Sequence, residues 1–251
     1  MIDVHSHILP NIDDGSTSMQ QSIKIIKQAI NEGVDEIILT PHFILGSKYN
    51  VENQEKEQIF KTLQKEVKKN DLNVKLYIGN EVFYEQNMYS LLEDKKINTL
   101  NNSRYLLFEV PRHNRVRGLE DTIFNLKHKK IIPILAHPER YVAYQKNPEL
   151  LMKLKEHGLL FQCNVGSFFK EYGKEAQKLV NLLANHHMID FLGSDVHHDG
   201  NRYENYNKLK KILEASYFEE LTQKNPQKII NNELIESSYT PFKKNVFGKW
   251  R

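Results

Sequence analysis

The 251-residue sequence contains one cysteine, Cys163, so no intramolecular disulfide can form. That fits a reducing compartment and makes the cytoplasm the expected location. No stretch approaches the roughly 18 apolar residues of a membrane-spanning helix, so no membrane insertion is expected. The opening Met1-Ile2-Asp3-Val4-His5 lacks the basic and apolar regions of a secretory signal. Charge of one sign is scarce too. With 35 Lys and Arg against 32 Asp and Glu, the net +3 is too small to argue for a nucleic-acid partner. Gly/Ser-rich linkers and low-complexity tracts are missing, and the length is within reach of one α/β barrel, so residues 1–251 read as a single domain. Several catalytic devices are also lacking. Phe169 stands six residues after Cys163, which excludes a Cys-x5-Arg phosphatase loop. There is no phosphate-binding Walker loop, dinucleotide glycine pattern, His-Glu-x-x-His or nucleophile elbow.

What is present is a recurring unit, a short apolar run ending in polar, chemically capable residues and followed by a helical pattern. The runs cover residues 2–4, 36–40, 74–78, 105–110, 131–136, 159–165 and 189–193. Most are nearly continuous in apolar character, as parallel strands buried on both faces require. Helical periodicity falls between them, at 16–32, 51–69, 85–94, 119–129, 148–157 and 171–186. In the first of these Ile23, Ile26, Ala29 and Ile30 share one face, and Gly33 supplies the stop. Seven such units predict an α/β fold, a closed or nearly closed parallel barrel with every strand's C-terminal end on one face. From about residue 206 to 251 the chain is helical and then polar, and reads as an extension packed on that barrel.

The strand ends carry the chemistry. They present His5 and His7, then His42, Glu81, Glu109 and His137, and finally Asp195 and His197. Histidine and carboxylate are ligands for zinc, manganese and iron. In His5-x-His7 and Asp195-x-His197 the intervening residue points away, so both outer side chains face one side. Any one of these residues alone reads as a surface or core group; chance would scatter them rather than gather them at one end of the strands. His113, His128, His157, His186, His187 and His198 keep the ordinary reading. The set is too large for one tetrahedral ion. Glu81, Glu109, Asp195 and Asp14 sum to about −4, so three divalent ions would leave about +2, a match for a phosphate dianion. Asp14 precedes the first helix, where it reads equally as a cap or as a site residue. Arg140 and Arg202, soon after His137 and His197, are planar donors suited to phosphate.

The motifs Asp3-Val4-His5-Ser6-His7-Ile8-Leu9-Pro10, Asp13-Asp14-Gly15, Thr40-Pro41-His42, Gly79-Asn80-Glu81, Ala136-His137-Pro138-Glu139-Arg140 and Gly193-Ser194-Asp195-Val196-His197 resemble the polymerase-and-histidinol-phosphatase (PHP) family. More closely, they are similar to the bacterial manganese-dependent protein-tyrosine phosphatases of the CpsB/CapC type, encoded with capsule or exopolysaccharide genes. The resemblance runs from Met1 to about Asn232. It implies a PHP-type distorted (β/α)7 barrel with a three-metal site. The metal ligands it implies are His5, His7, His42, Glu81, Glu109, His137, Asp195 and His197; its catalytic positions fall on Asp14, Arg140 and Arg202. Manganese is the implied metal, and mixed His/carboxylate ligation would also accept iron, cobalt or zinc. The implied substrate is phosphotyrosine on a cytoplasmic tyrosine kinase that regulates capsule or exopolysaccharide assembly.

On this reading, water activated by the metal ions attacks phosphorus in line without a phosphoenzyme, Glu109 bridges two ions, and the arginines hold the equatorial oxygens. Arg112, Arg115 and Arg117 read as solvated loop charge, or as contacts for acidic residues flanking the phosphotyrosine. Two alternatives stand beside it: action on a small phosphomonoester such as histidinol phosphate, and a non-enzymatic regulator that binds metal structurally.

Overall fold

A computed structural model describes residues 1–243 and residue 250. The runs rich in Ile, Val, Leu and Phe form strands that pair only in parallel: β1 (Ile2–Ser6), β2 (Glu36–Leu39), β3 (His42–Phe43), β4 (Lys75–Ile78), β5 (Glu81–Phe83), β6 (Tyr105–Glu109), β7 (Ile132–Ala136), β8 (Leu160–Asn164) and β9 (Phe191–Gly193). Two of the seven expected strands, at 36–40 and 74–78, are each followed by a second short strand beyond the expected run. Thr40-Pro41 separates β2 from β3, and Gly79-Asn80 separates β4 from β5. Proline has no N–H for the ladder, so the pairing is interrupted at Pro41. The first segments make the sheet β1-β2-β4, and the second segments join β3-β5-β6-β7-β8-β9.

The sheet curls until its ends meet. Ser6 bridges Val196, the Asp195 N–H donates to the His5 carbonyl at 2.9 Å, and the His7 N–H donates to the Val196 carbonyl at 2.9 Å. β1 carries one extra residue against β2 between Asp3 and Ser6. Strict alternation would put Val4 and His5 on opposite faces. Instead Val4 packs in the barrel interior and His5 lies in the histidine cluster above it, as a bulge allows. Ile2, Ile38, Tyr105, Leu107, Ile134, Leu160 and Phe191 fill that interior.

The outer layer comprises α1 (Met19–Asn31), α2 (Asn53–Lys69), α3 (Met88–Glu93), α4 (Leu119–His128), α5 (Val142–Lys146), α6 (Glu149–Glu156) and α7 (Lys174–Asn185). In α7 the residues Ala176, Leu179, Val180, Leu183 and Ala184 recur at helical spacing and are all buried. Burying each leucine there contributes roughly 1.5–3 kcal/mol, so a charge at Leu183 would detach the helix. Helix α1 begins three residues later than the pattern suggests. Its cap is Ser18, whose hydroxyl accepts from the Gln21 N–H. Asp14 is therefore not the helix cap, and that half of its double reading falls away. Helix α5 has no counterpart in the periodicity, being only five residues long.

Past residue 203 come α8 (Glu204–Leu209), α9 (Ala215–Glu219) and α10 (Asn225–Ile230). Ile229 of α10 joins the interior cluster, and the Tyr105 hydroxyl donates to the Glu233 carbonyl at 2.6 Å. This part of the expected extension thus packs against the interior; its residues 244–249 and 251 lie outside the described residues. Among the described residues no helix is long and apolar enough to cross a membrane.

Candidate metal centre

The C-terminal ends of the strands bring all eight expected ligand residues into one cluster. His7, Asp14, His42 and His197 place ligand atoms within 4.8 Å of one another, as do His5, His7 and Glu81, and His42, Glu81 and Glu109. The groups share His7, His42 and Glu81. His137 Nε2 lies 2.8 Å from Glu81 Oε1, and Asp195 Oδ1 lies 3.6 and 3.5 Å from the Nε2 atoms of His5 and His7.

The donors fit divalent cations. His5 Nε2 and His7 Nε2 stand 3.1 Å apart; two imidazole nitrogens held by one ion at roughly 2.1 Å and near right angles would be about 3 Å apart. Each ring is oriented from behind. His5 Nδ1 meets Gln162 Oε1 at 2.7 Å and His7 Nδ1 meets Asp13 Oδ2 at 2.7 Å, which directs both Nε2 atoms inward. Buried and without a hydrogen-bond partner are His42 Nδ1, Glu81 Oε2 and His137 Nδ1. The first two point to one another across 3.0 Å, as two ligands of one ion do.

Backbone geometry is adapted to this convergence. His137 and Asp195 take left-handed conformations, with φ of 34° and 50°, which non-glycine residues seldom occupy. Each is held by its amide, His137 N–H donating to the Gln162 carbonyl at 2.7 Å and Asp195 N–H to that of His5. Gly15 lets the Asp13-Asp14 loop lie against His7; a Cβ there would come within 2.1 Å of the His7 carbonyl oxygen. Gly193 is needed likewise, since a Cβ would meet Gln162 Nε2 at 2.6 Å and His5 Cβ at 2.7 Å.

The cluster has a floor and a rim. His5 and Glu81 are fully buried, whereas Asp14 is 51% exposed and His197 20%. The electrostatics of the polypeptide follow. Burial disfavours the charged form of His5, but Glu81 and Asp195 outweigh it and hold the imidazole at about 9. For His42 the same opposition, with Glu81 and Glu109 on the raising side, ends at about 10. Burial and then the neighbouring Glu81 push the Glu109 carboxyl up to about 8. Burial and Arg140 depress His137 to about 4. Against their own burial, the surrounding histidines hold Glu81 and Asp195 well below the carboxylate range. Contact with His197 lowers Asp14 as well.

Both expected arginines adjoin the cluster. Arg140 Nη1 donates to Asp195 Oδ2 at 2.7 Å, and Arg202 Nη1 donates to the Asp195 carbonyl at 3.2 Å. Asp195 is thus divided, with Oδ1 toward the histidines and Oδ2 toward Arg140. Arg115 is exposed and pairs with Glu120 at 3.8 Å, while Arg112 offers its carbonyl to the Val142 N–H.

Sequence reasoning passed over five residues here. Asp13 bonds His7 Nδ1 and the His42 N–H. Gln162 bonds His5, and Asn164 Nδ2 donates to Asp195 Oδ2 at 2.6 Å. Asp3 accepts from Ser194 and His5, and the Tyr172 ring contacts both arginines. A signal for two of them existed, because Gln162 and Asn164 are polar residues at period two in an otherwise apolar strand. Glu139, within the motif around His137, turns inward, accepting from the Asn164 N–H and the Ser167 hydroxyl.

A curled parallel barrel with a His/carboxylate cluster and two arginines at its C-terminal mouth has the architecture of the barrel metallohydrolases. Within that class, the chain belongs to the family described as capsular polysaccharide synthesis, CpsB/CapC, which it matches over residues 1–231. It is 31% identical over 238 residues to tyrosine-protein phosphatase YwqE of Bacillus subtilis, covering 94% of this chain and 93% of that one. With tyrosine-protein phosphatase CpsB of Streptococcus pneumoniae it shares 29% over 255 residues, covering 94% and 100%. A crystal structure from work on these two metal-dependent tyrosine phosphatases superposes with a TM-score of 0.89 at 30% identity, over 97% of this chain and 100% of the other. Histidinol phosphate phosphatase of Lactococcus lactis, at 17% identity and a TM-score of 0.53 over 84% and 92%, shares the fold.

Proposed function

We propose that this chain is a metal-dependent protein-tyrosine phosphatase that acts on a bacterial tyrosine kinase regulating capsule or exopolysaccharide synthesis in the cytoplasm. The observation that carries the reading is the joint arrangement of eight donor residues and two guanidiniums on one aspartate, Asp195. Membership of the CpsB/CapC family supports it.

His5, His7, His42, Glu81, Glu109, His137, Asp195 and His197 would hold three divalent ions, manganese by family resemblance. When bound, these ions supply Lewis acidity, lowering the pKa of water to roughly 7 and offsetting phosphate charge. The chain's own groups do the rest. Arg140 and Arg202 offer planar donors to the phosphoryl oxygens, where transition-state charge gathers. Glu109, on the rim beside Glu81 and His42, would hold metal through its carboxylate. Asp14, half exposed at the mouth and kept ionised by His197, would orient the attacking water. The leaving phenolate has a reference pKa of about 10, so it departs with less protonation than an alkoxide. A shallow site is then sufficient.

The test is hydrolysis of a phosphotyrosine peptide, a phosphoserine peptide and histidinol phosphate by protein stripped with chelator and reloaded with manganese. Turnover of phosphotyrosine that disappears on stripping and returns with metal is expected. Metal-loaded protein that cleaves none of the three would overturn the reading.

A further inference from the structure

Tyr172 lies in the turn between the helical turn Val165–Phe169 and α7, and no role in the chemistry has yet fallen to it. Its ring faces both arginines. The Arg140 guanidinium carbon stands 4.4 Å from the ring centroid and that of Arg202 5.6 Å away. Its hydroxyl receives the Arg202 Nη1–H at 2.5 Å and lies 3.3 Å from Asp195 Oδ2. The turn that carries it is anchored at Glu171, whose carboxylate accepts from Asn205 Nδ2 at 2.6 Å and lies 3.7 Å from Arg202 Nε. One aromatic side chain therefore touches both cations and the aspartate that joins them to the metal cluster.

Two guanidiniums gathered around one ring repel one another, and flexible arginines lose conformational freedom when an anion orders them. A π face attracts both cations, and a hydroxyl accepting from one of them restricts its orientation. Among the described residues Nη2 of each arginine makes no hydrogen bond, so this packing leaves donors available to an anion.

We infer that Tyr172 is a positioning residue that holds Arg140 and Arg202 together as a preformed clamp for the phosphoryl group. This rests on the phosphatase reading above and specifies how that site is organised. The ring contributes most, because it contacts both guanidiniums, whereas the hydroxyl bonds one. A cation–π contact of this kind changes a binding constant by roughly 2- to 30-fold.

The experiment compares manganese-loaded wild type with Tyr172→Leu, Tyr172→Met and Tyr172→Phe. Metal content, kinetics on an aryl phosphate and the thermal shift produced by inorganic phosphate are measured for each. Tyr172→Leu and Tyr172→Met are expected to retain metal, to raise KM and the apparent phosphate dissociation constant together by about tenfold, and to change kcat less. Tyr172→Phe should recover most of that loss. Unchanged phosphate affinity in the Leu or Met variant, or a Phe variant as impaired as they are, would overturn the inference. If the Leu variant fails to fold, the Met variant, whose unbranched side chain adapts to an irregular gap without a π face, decides alone. The phosphate shift needs no turnover. A wild type inert toward every phosphoester but shifted by phosphate would fail the functional reading while still testing Tyr172.

Discussion

Asp3 offers the most demanding test of how the centre is held. It is fully buried, and five donors converge on its carboxylate. Oδ1 accepts from the His5 N–H at 3.3 Å, the Ser194 N–H at 2.9 Å and the Tyr206 hydroxyl at 3.2 Å. Oδ2 accepts from the Ser194 hydroxyl at 2.6 Å and the Tyr203 hydroxyl at 2.8 Å. One side chain thus ties β1 to β9 and to the start of α8. Burial raises its pKa, and the bonds from Ser194 and Tyr203 oppose that rise. Asp3→Ala would leave two N–H groups and three hydroxyls to find other partners in a closed space. At roughly 1–3 kcal/mol per stranded group, and with local relaxation, the expected loss is about 4 kcal/mol. Asp3→Asn should behave differently. The two N–H groups can only donate, so the amide oxygen must face them, while the hydroxyls opposite can reverse and accept from the NH2. Its cost should be about 1 kcal/mol. Urea unfolding of the metal-loaded protein measures both losses, and metal titration shows whether His5 and Asp195 still converge. An alanine variant within 1 kcal/mol of wild type, or an asparagine variant as damaged as alanine, would refute the argument.

Three further outcomes are expected. Asp13→Ala removes the orienting partner of His7 and a bond to the His42 amide, so metal affinity should fall about 10- to 100-fold with the fold retained, read by competition with a chromogenic chelator; unchanged affinity would count against the orienting role. Arg140→Lys keeps the charge but loses the planar fork and the stack on Tyr172, so kcat/KM on an aryl phosphate should drop at least tenfold, or about 1.4 kcal/mol, with the phosphate inhibition constant rising. The third concerns pH. His5 at about 9, His42 at about 10 and Glu109 at about 8 all hold protons more tightly folded than unfolded. Their contribution is complete below the unfolded values and is lost as pH rises through 8 to 10. Chelator-stripped protein should therefore melt at lower temperature at pH 9.5 than at pH 6.5. Metal must displace these protons, so its stabilising increment should grow over the same interval; calorimetric scans at the two pH values give both quantities, and parallel shifts would contradict the sign.

How much of this could be read before folding differs from residue to residue. Strands and helices follow from local hydrophobic period, and the interruption at Pro41 was implicit in the missing amide. The residues that gather at the barrel mouth were legible because parallel strands deliver their C-terminal ends to one face. Asp13 was hidden beside the more conspicuous Asp14, since both satisfy the same local pattern. Tyr172 was hidden because an aromatic in a turn carries no periodic signal. Helix α5, at five residues, is too short to display one.

The chain order by itself determined which donor types exist, which strand end bears each, and that a single thiol, Cys163, buried in β8, takes no part among the ligands. Tertiary structure alone decided which atom of each donor faces the centre. That choice is made by partners far away in sequence: Gln162 turns His5 from 157 residues away, and Asp3 holds the residue before Asp195 from 191 away. Hydrogen-bond direction depends on where such partners arrive in space, and no local period records that. The arginine clamp has the same origin. Arg140 and Arg202 are separated by α5, α6, β8, α7 and β9, and only the side-by-side pairing of β7, β8 and β9 brings both guanidiniums to Asp195 and to the ring of Tyr172.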